Sequence, residues 1–564
     1  MEKDRITGSE ALLRTLLAEG VDCIFGYPGG QAIPIYDCLY DYTDRLRHVL
    51  VRHEQGATHA AQGYARVSGK PGVAIVTSGP GATNTITGIA DAMIDSTPIV
   101  VITGQVPSPL LGTDAFQEVD MIGIALPITK WAYQVRKAEE IAWAVSRAFY
   151  IASSGRPGPV LIDISKDAQV GMADYVYQPV RFIRSYQPTP EMNLENVAAA
   201  ADLINAARRP FVLAGQGVML SGAERELVAF LEKGDIPAAT TMLGLSSLPS
   251  DHRLNKGMLG MHGNIGPNRK TNECDVLIAV GMRFDDRVTG DLNSYARQAK
   301  IIHIDIDLSE IDKNVPVDIP LPGDAKEILS ALTKRLKPAK HDAWIAAFDA
   351  DAQEEDIKVI RKEIHPASGP LRMGEVIRKV SEATGHDAVL ATDVGQNQMM
   401  SVRYFKFRHT RSLISSGGLG TMGYGLPAAI GAKIGAPERT VCCFVGDGGL
   451  QMTLQELGTI MQENLDLKII LLNNDSLGMV RQWQELFWHE RYSFTMMENP
   501  DFVAIARAYR LGARAVSARE ELDDAIREML DHDGGYLLVA HVEKAGMVYP
   551  MVPAGKSLND MIVE

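Results

Sequence analysis

Thr440-Val441-Cys442-Cys443-Phe444-Val445-Gly446-Asp447-Gly448 and, further on, Leu467-Lys468-Ile469-Ile470-Leu471-Leu472-Asn473-Asn474 decide how this chain is read. Each is an apolar run that ends in small or polar residues, the pattern of a buried parallel strand delivering a loop. Two such strands joined through a helix place Asp447 and Asn474 side by side at their carboxyl ends. Open α/β sheets bind ligands at that edge. One carboxylate and one amide oxygen form a partial shell for Mg2+, which phosphate oxygens and water complete. Gly446 and Gly448 let backbone N–H groups close on a diphosphate.

The pair resembles the GDG…NN motif that binds thiamine diphosphate (ThDP). Strand-ending Asp and Gly are ordinary turn residues. The weight therefore rests on the joint match of both ends, at this separation, between two apolar runs.

The rest of the chain sets the frame. At 564 residues it is too long for one core and predicts three domains of ordinary size. With 46% hydrophobic and 22% charged residues it reads as a globular protein without a membrane span. Lys+Arg 56 against Asp+Glu 70 leaves −14, which argues against nucleic-acid or acidic-membrane partners. The polar start, MEKDRITGSE, lacks a signal-peptide core. Cys23, Cys38, Cys274, Cys442 and Cys443 show no zinc or CxxC spacing and read as reduced core thiols of a cytoplasmic protein.

Short apolar strands alternate with helical patterns in three segments, which predicts an α/β fold of three doubly wound parallel-sheet domains. The expected boundaries are 1–175, 193–340 and 370–564. A proline-containing linker lies over 175–192, and a charged helical stretch over 342–363. The first and third segments are of similar scale and suit two related halves. In the first, a strand-like Leu46-Arg47-His48-Val49-Leu50-Val51 precedes Arg52-His53-Glu54-Gln55-Gly56-Ala57, with Glu54 opening a helix through Ala65. His53 and His59 are too far apart for an HExxH zinc site. A carboxyl is what ThDP requires here: bonded to N1′ of the aminopyrimidine, it favours the tautomer whose 4′-nitrogen can take the C2 proton, and burial suits it to that role.

With these residues in view, the chain resembles the catalytic large subunit of acetohydroxyacid synthase (acetolactate synthase), of the ThDP-dependent decarboxylase superfamily, from Ile6-Thr7-Gly8 to its end. The motifs that carry the resemblance include FGYPGG (25–30), RHEQGA (52–57), TSGPGATN (77–84), GTDAFQE (112–118), GMLGMHG (257–263), GMRFDDRVTG (281–290) and GLGTMGYGLPAA (418–429). The resemblance implies a first domain that binds the pyrimidine, a central one that binds FAD and a third that binds the diphosphate. ThDP would lie between two subunits, so that Glu54 serves the cofactor held by the partner chain, and a homodimer or dimer of dimers would be the active form. A small regulatory subunit is a further implied partner.

It also assigns roles. ThDP would be held by Glu54, Pro80, Asn84, Gln117, Val394, Gly395, Gln396, Asn397, Gly420, Met422, Gly446, Asp447, Gly448, Gly449, Asn474, Leu477, Gly478 and Met479, and Mg2+ by Asp447, Asn474 and Ser476. Met422 would wedge under the cofactor, so that Gly418-Leu419-Gly420-Thr421-Met422-Gly423 is a GxGxxG decoy rather than an NAD site. FAD would be held, as a structural group, by Arg156, Gly215, Gly217, His262, Gly281, Met282, Arg283, Phe284, Asp285, Asp286, Arg287, Asp305, Ile306 and Asp324. Read without the resemblance, the strand-ending glycines and acids suit a dinucleotide, but equally any α/β domain. Gly30, Phe116, Gln117, Lys166 and Met479 would line the active-site mouth. Arg283 would grip the carboxylate of the acceptor, and Trp483 would sense its extra methyl.

The implied reaction decarboxylates pyruvate and joins the remainder to pyruvate or 2-oxobutyrate, the first common step towards valine, leucine and isoleucine. A pyruvate oxidase-type enzyme using ThDP and redox-active FAD is the alternative. Two departures stand out: Gln31 occupies a place the family usually gives to a small residue, and Asn397 one often held by His.

Overall fold

The computed structural model describes residues 4–564 and contains three six-stranded parallel sheets, each covered by helices. The strands are short runs of Val, Ile, Leu and Ala buried on both faces, such as Gly72–Val76, Val276–Val280 and Lys468–Asn473. Such composition suits parallel sheets with helices on each side.

In the first sheet the strands in chain order are Cys23–Tyr27, Arg47–Leu50, Gly72–Val76, Ile99–Gln105, Trp131–Val135 and Val160–Ser165. They lie in space as second, first, third, fourth, sixth, fifth. The third sheet is built from Val389–Thr392, Leu413–Ile414, Val441–Gly446, Lys468–Asn473, Gly512–Val516 and Tyr536–His541. It repeats that spatial order. The middle sheet, from Pro210–Ala214 to Ile319–Pro322, runs third, second, first, fourth, fifth, sixth, the order of dinucleotide-binding folds. Residues 175–192 cross between the first two units with a single isolated bridge, Ile183 to Tyr186. Helix Asp342–Glu355, running on to Ile364, links the middle unit to the last.

Two helices join the outer units. Glu54–Ser68 follows the second strand of the first sheet, and Gly425–Gly435 follows the second strand of the third. They meet through Ala60-Ala61-Gln62-Gly63 and Ala428-Ala429-Ile430-Gly431. A Cβ at Gly63 would collide with the Ala428 carbonyl, and one at Gly431 with the Ala60 carbonyl. Small residues thus bring the backbones into contact, and one continuous hydrophobic core spans both units.

The first helix runs one turn beyond the sequence expectation, to Ser68, because Gly69 in a left-handed conformation caps it there. The strand before the GxGxxG stretch is only Leu413–Ile414, with Arg411 left-handed and turning the chain. Among the described residues no helix is long and apolar enough to cross a membrane. The five cysteines are free, and burial pushes the Cys442 thiol up to about 12.

Candidate active site

The third sheet changes winding direction between Val389–Thr392 and Val441–Gly446, and the loops beyond these strands form a cradle at their carboxyl ends. Asp447 follows Val441–Gly446 directly and opens a short helix, and Asn474 follows Lys468–Asn473 in the paired neighbour. Asp447 is buried, and loss of hydration pushes its proton affinity up. Asn499 Nδ2 donates to Asp447 Oδ2 at 2.7 Å and contacts Asn473 Oδ1 and Asp475 Oδ1 at 3.0 and 3.1 Å.

Asn474 is oriented by its Nδ2–H bond to Gln396 Oε1 at 3.2 Å, and Gln396 is held in turn by Gln482 and the Gly546 carbonyl. The Ser476 hydroxyl is buried without a partner. Asp447, Asn474 and Ser476 thus present hard oxygen donors in one loop pair, a set that fits Mg2+. Among the described residues there is no cluster of three His, Cys, Asp or Glu for a metal, so a mixed carboxylate–amide shell is the candidate on hand.

Small residues line the rest of the cradle. Gly395 and Gly420 have φ of 121° and 70°, where a side chain is strained. A Cβ at Gly448 would lie 2.6 Å from Leu477 and 3.5 Å from the Met422 methyl, so both side chains converge there. Asn397 Oδ1 faces Gly395 and Gly446, and its Nδ2 donates to the Phe444 carbonyl at 3.2 Å, leaving one amide hydrogen for a ligand. Val394, Gly449 and Gly478 complete the wall: Asp393 accepts the N–H groups of Val394, Gly423 and Gly425 and sits against Gly449, and Gly478 abuts Gln396 and Asn474. This glycine-lined pocket fits a diphosphate anchored through a divalent ion.

Glu54, Pro80, Asn84, Gly30, Phe116, Gln117 and Lys166 gather elsewhere, at the carboxyl edge of the first sheet. Glu54 opens its helix, and Asn84 Nδ2 donates to Glu54 Oε2 at 2.9 Å. Gly79, just before Pro80, is left-handed, and a Cβ there would meet the Gln117 backbone at 2.9 Å. Lys166 Nζ donates to the Gly30 carbonyl at 3.3 Å. The Gln31 amide oxygen is buried without a partner beside it. Phe116 is 84% exposed.

The structure therefore places the expected site residues in two groups. The helix bearing Glu54 is capped by His53, whose ring accepts the Gln55 N–H at 3.2 Å, and the residue before the cap is tied to the third unit, whose Glu456 accepts the Arg52 N–H at 3.0 Å.

A cavity of about 800 Å3 opens where the three units meet. It is large enough for a dinucleotide. Arg156, Gly217, His262, Gly281, Met282, Arg283, Asp285, Asp286, Arg287, Asp305, Ile306 and Asp324 line it, together with Val394, Gly395, Gly420, Met479 and Trp483. Gly217 and Gly281 touch where the middle sheet changes winding, and a Cβ on either would lie 2.6 Å from the other's Cα. Arg156, tied to Asp307 and Glu310, supplies a fixed cation. Burial pushes Asp305 up to about 7 and His262 down to about 4.

Two expected cavity residues do not reach the wall. Gly215 is small because strand contact with Gly281 and Met282 demands it. Phe284 has a left-handed backbone that turns its ring into the core against Tyr295 and His303. Arg283 lies 3.8 Å from Asp285, and Trp483 stands edge-on to Phe487 with the Arg287 guanidinium 6.0 Å from its ring centre.

Sequence reasoning did not find Asn499, Gln482 or Asp393. Only Asp393, an acid ending the apolar strand before Val394-Gly395, left a readable signal.

A GDG cradle on one parallel sheet, a matching sheet that presents a glutamate, and a nucleotide-type domain between them define a thiamine-diphosphate enzyme. Family models agree: residues 6–124 match the thiamine pyrophosphate enzyme N-terminal TPP binding domain, 197–332 its central domain and 393–540 its C-terminal TPP binding domain. The chain is 44% identical to the acetolactate synthase large subunit of Corynebacterium glutamicum, over 99% of this chain and 90% of that one. It is 43% identical to the acetolactate synthase isozyme 2 large subunit of Escherichia coli over 99% of both, and 44% identical to a probable acetolactate synthase large subunit of Methanocaldococcus jannaschii over 98% and 95%. The chain belongs to the acetolactate synthase large-subunit family.

Proposed function

We propose that this chain decarboxylates pyruvate and joins the two-carbon remainder to a second 2-oxo acid. Pyruvate as acceptor yields 2-acetolactate, and 2-oxobutyrate yields 2-aceto-2-hydroxybutyrate, which feed valine, leucine and isoleucine synthesis in the cytoplasm. The observation that carries this reading is the near-full-length identity to acetolactate synthase large subunits, joined to intact Glu54, Asp447 and Asn474. The residues present fit ThDP with Mg2+ in the GDG cradle and FAD, as a structural group, in the central cavity. ThDP supplies the carbon nucleophile and the electron sink for decarboxylation.

The protein's residues do the rest. Glu54, with Oε2 tied to Asn84, would hold a proton towards the aminopyrimidine of the bound cofactor. Asp447, Asn474 and Ser476 would hold Mg2+, whose charge would offset that of the diphosphate. Met479, Trp483 and Leu419 make a partly apolar wall that strips water from the substrate carboxylate before carbon dioxide leaves. Arg283 clamps the acceptor carboxylate. Glu54 and the cradle belong to separate sheets, an arrangement that suits a homodimer in which each site draws on two chains. A small regulatory subunit is the further partner.

The test is pyruvate turnover by purified protein, without an electron acceptor, with ThDP, Mg2+ and FAD omitted in turn. Acetolactate formation that needs all three supports the synthase. Turnover only with an added electron acceptor overturns it in favour of an oxidase. For acceptor choice, one methylene is worth about 1–3 kcal/mol, a preference of roughly 10- to 200-fold. Trp483→Leu is expected to erase most of that preference and leave acetolactate formation intact. A competition assay with both acceptors reads it, and an unchanged product ratio refutes it.

A further inference from the structure

A buried polar cluster between the first and third units has no part in the reaction just described. It starts on helix Ile86–Ile94, which carries Asp91, and at Asp95, which ends that helix. Both carboxylates are fully buried, and both reach out of the first unit into the turn 416–421 of the third. The Ser416 hydroxyl donates to Asp91 Oδ1, and the Thr421 hydroxyl donates to the same oxygen at 3.0 Å. Ser416 Oγ also accepts the Thr421 N–H at 2.9 Å. The Gly417 and Gly418 N–H groups donate to Asp95 Oδ2 and Oδ1, both at 2.7 Å.

Arg66 closes the cluster, donating to Asp95 at 2.9 Å, to the Ser415 carbonyl at 2.7 Å and to Thr97 at 3.2 Å. The next residues along the turn are Gly420 and Met422, the cofactor wall. A Cβ at Gly418 would lie 2.8 Å from Asp95 and 3.0 Å from Arg283, so the turn is gripped from both sides.

Two carboxylates face a single guanidinium. Asp91 Oδ2 and Gln62 Oε1 are both buried without partners, while the Gln62 amide hydrogens go to the Gly88 carbonyl and to His59. Asp91 lies within hydrogen-bond reach of Gln62, and a proton on it leaves the charge on Asp95 for Arg66. Burial raises the Asp91 proton affinity in that sense.

We propose that Asp91 and Asp95 are positioning residues that reach from the first unit to fix the turn 416–421, and thereby set Gly420 and Met422 against the cofactor held by the same chain. The first unit then serves two cofactors: its own chain's through Asp91 and Asp95, and the partner chain's through Glu54. This rests on the assignment of Gly420 and Met422 to ThDP.

The experiment measures ThDP binding to cofactor-stripped full-length protein in saturating Mg2+, by quenching of tryptophan fluorescence and by the near-ultraviolet circular dichroism of the bound cofactor. Turnover is not needed, so failure of the wild type to make acetolactate would count against the function and leave this comparison readable. Ser416→Ala is expected to weaken ThDP binding by about tenfold, and Asp91→Ala, which also releases Thr421, by at least as much. The double variant should lose less than the two single losses combined, because both remove the Ser416–Asp91 bond. Asp91→Asn keeps the Oδ1 acceptor and offers a donor to Gln62, and should bind ThDP as the wild type does. Unchanged binding and dichroism in Ser416→Ala, or an Asp91→Asn no better than Asp91→Ala, overturns the proposal. If Asp91→Ala does not fold, Ser416→Ala decides.

Discussion

Glu54→Gln is expected to lower kcat by about 10²–10⁴-fold, the range of a general acid–base group. Glutamine keeps the shape of the side chain and can accept the Asn84 amide as Glu54 does, so the local hydrogen bond survives. What it cannot do is hold and release a proton at N1′. Because Glu54 is the first residue of its helix and only half-buried, the change should move stability by no more than about 0.5 kcal/mol. Steady-state turnover and thermal unfolding, measured side by side, separate the two effects. A variant that keeps more than about a tenth of the activity would remove Glu54 from the reaction.

Asp447→Ala should act on a different quantity. The carboxylate is buried, its main partner is the neutral Asn499 amide, and its raised proton affinity means that ionisation costs the folded state free energy. The sign follows from linkage. A carboxyl that binds its proton more tightly when folded loses stability as pH rises through that folded value. A cation replaces the proton and relieves the cost, so Mg2+ with ThDP should raise the melting temperature more at higher pH. In Asp447→Ala that rise should vanish, and half-saturation by Mg2+ should increase at least about a hundredfold, the upper end of what losing an outer partner alone costs.

Mixing Asp447→Ala chains with Glu54→Gln chains gives a sharper reading. If each site takes Glu54 from one chain and Asp447 from the other, random pairing restores about a quarter of the sites. If both come from one chain, nothing returns.

The layout of the chain was legible because its strongest signals are local. The apolar runs ending at Gly446-Asp447-Gly448 and Asn473-Asn474 specify strand, edge and loop within a few residues each, and the two strands pair as neighbours. Gly217 and Gly281 were readable as strand-end glycines, although the reason for both is mutual contact across the winding change.

What the sequence hid depends on approach from a distance. Asp91 and Asp95 sit in Ala90-Asp91-Ala92-Met93-Ile94-Asp95, which reads as a helix with a polar face. Only packing against the turn 416–421 shows them to be buried. Asn499 lies 25 residues beyond Asn474 and reaches Asp447 because 495–497 pairs back along 475–477. The direction of the Phe284 ring was hidden too: its neighbours Arg283 and Asp285 face the cavity, and one left-handed residue sends the ring the other way.

The contact between helices Glu54–Ser68 and Gly425–Gly435 bears on descent. Ala-Ala-Gln-Gly meets Ala-Ala-Ile-Gly, glycine on alanine carbonyl in both directions, between helices that hold equivalent places in sheets of the same strand order. That is the signature of an isologous, two-fold interface, the kind formed by two copies of one subunit. A duplicated ancestor that once dimerised through this helix, later fused into one chain, would leave such a relic. Symmetry of this origin constrains later change: neither glycine can grow without a matching retreat on the opposite helix, so the two halves are expected to vary here in step or not at all.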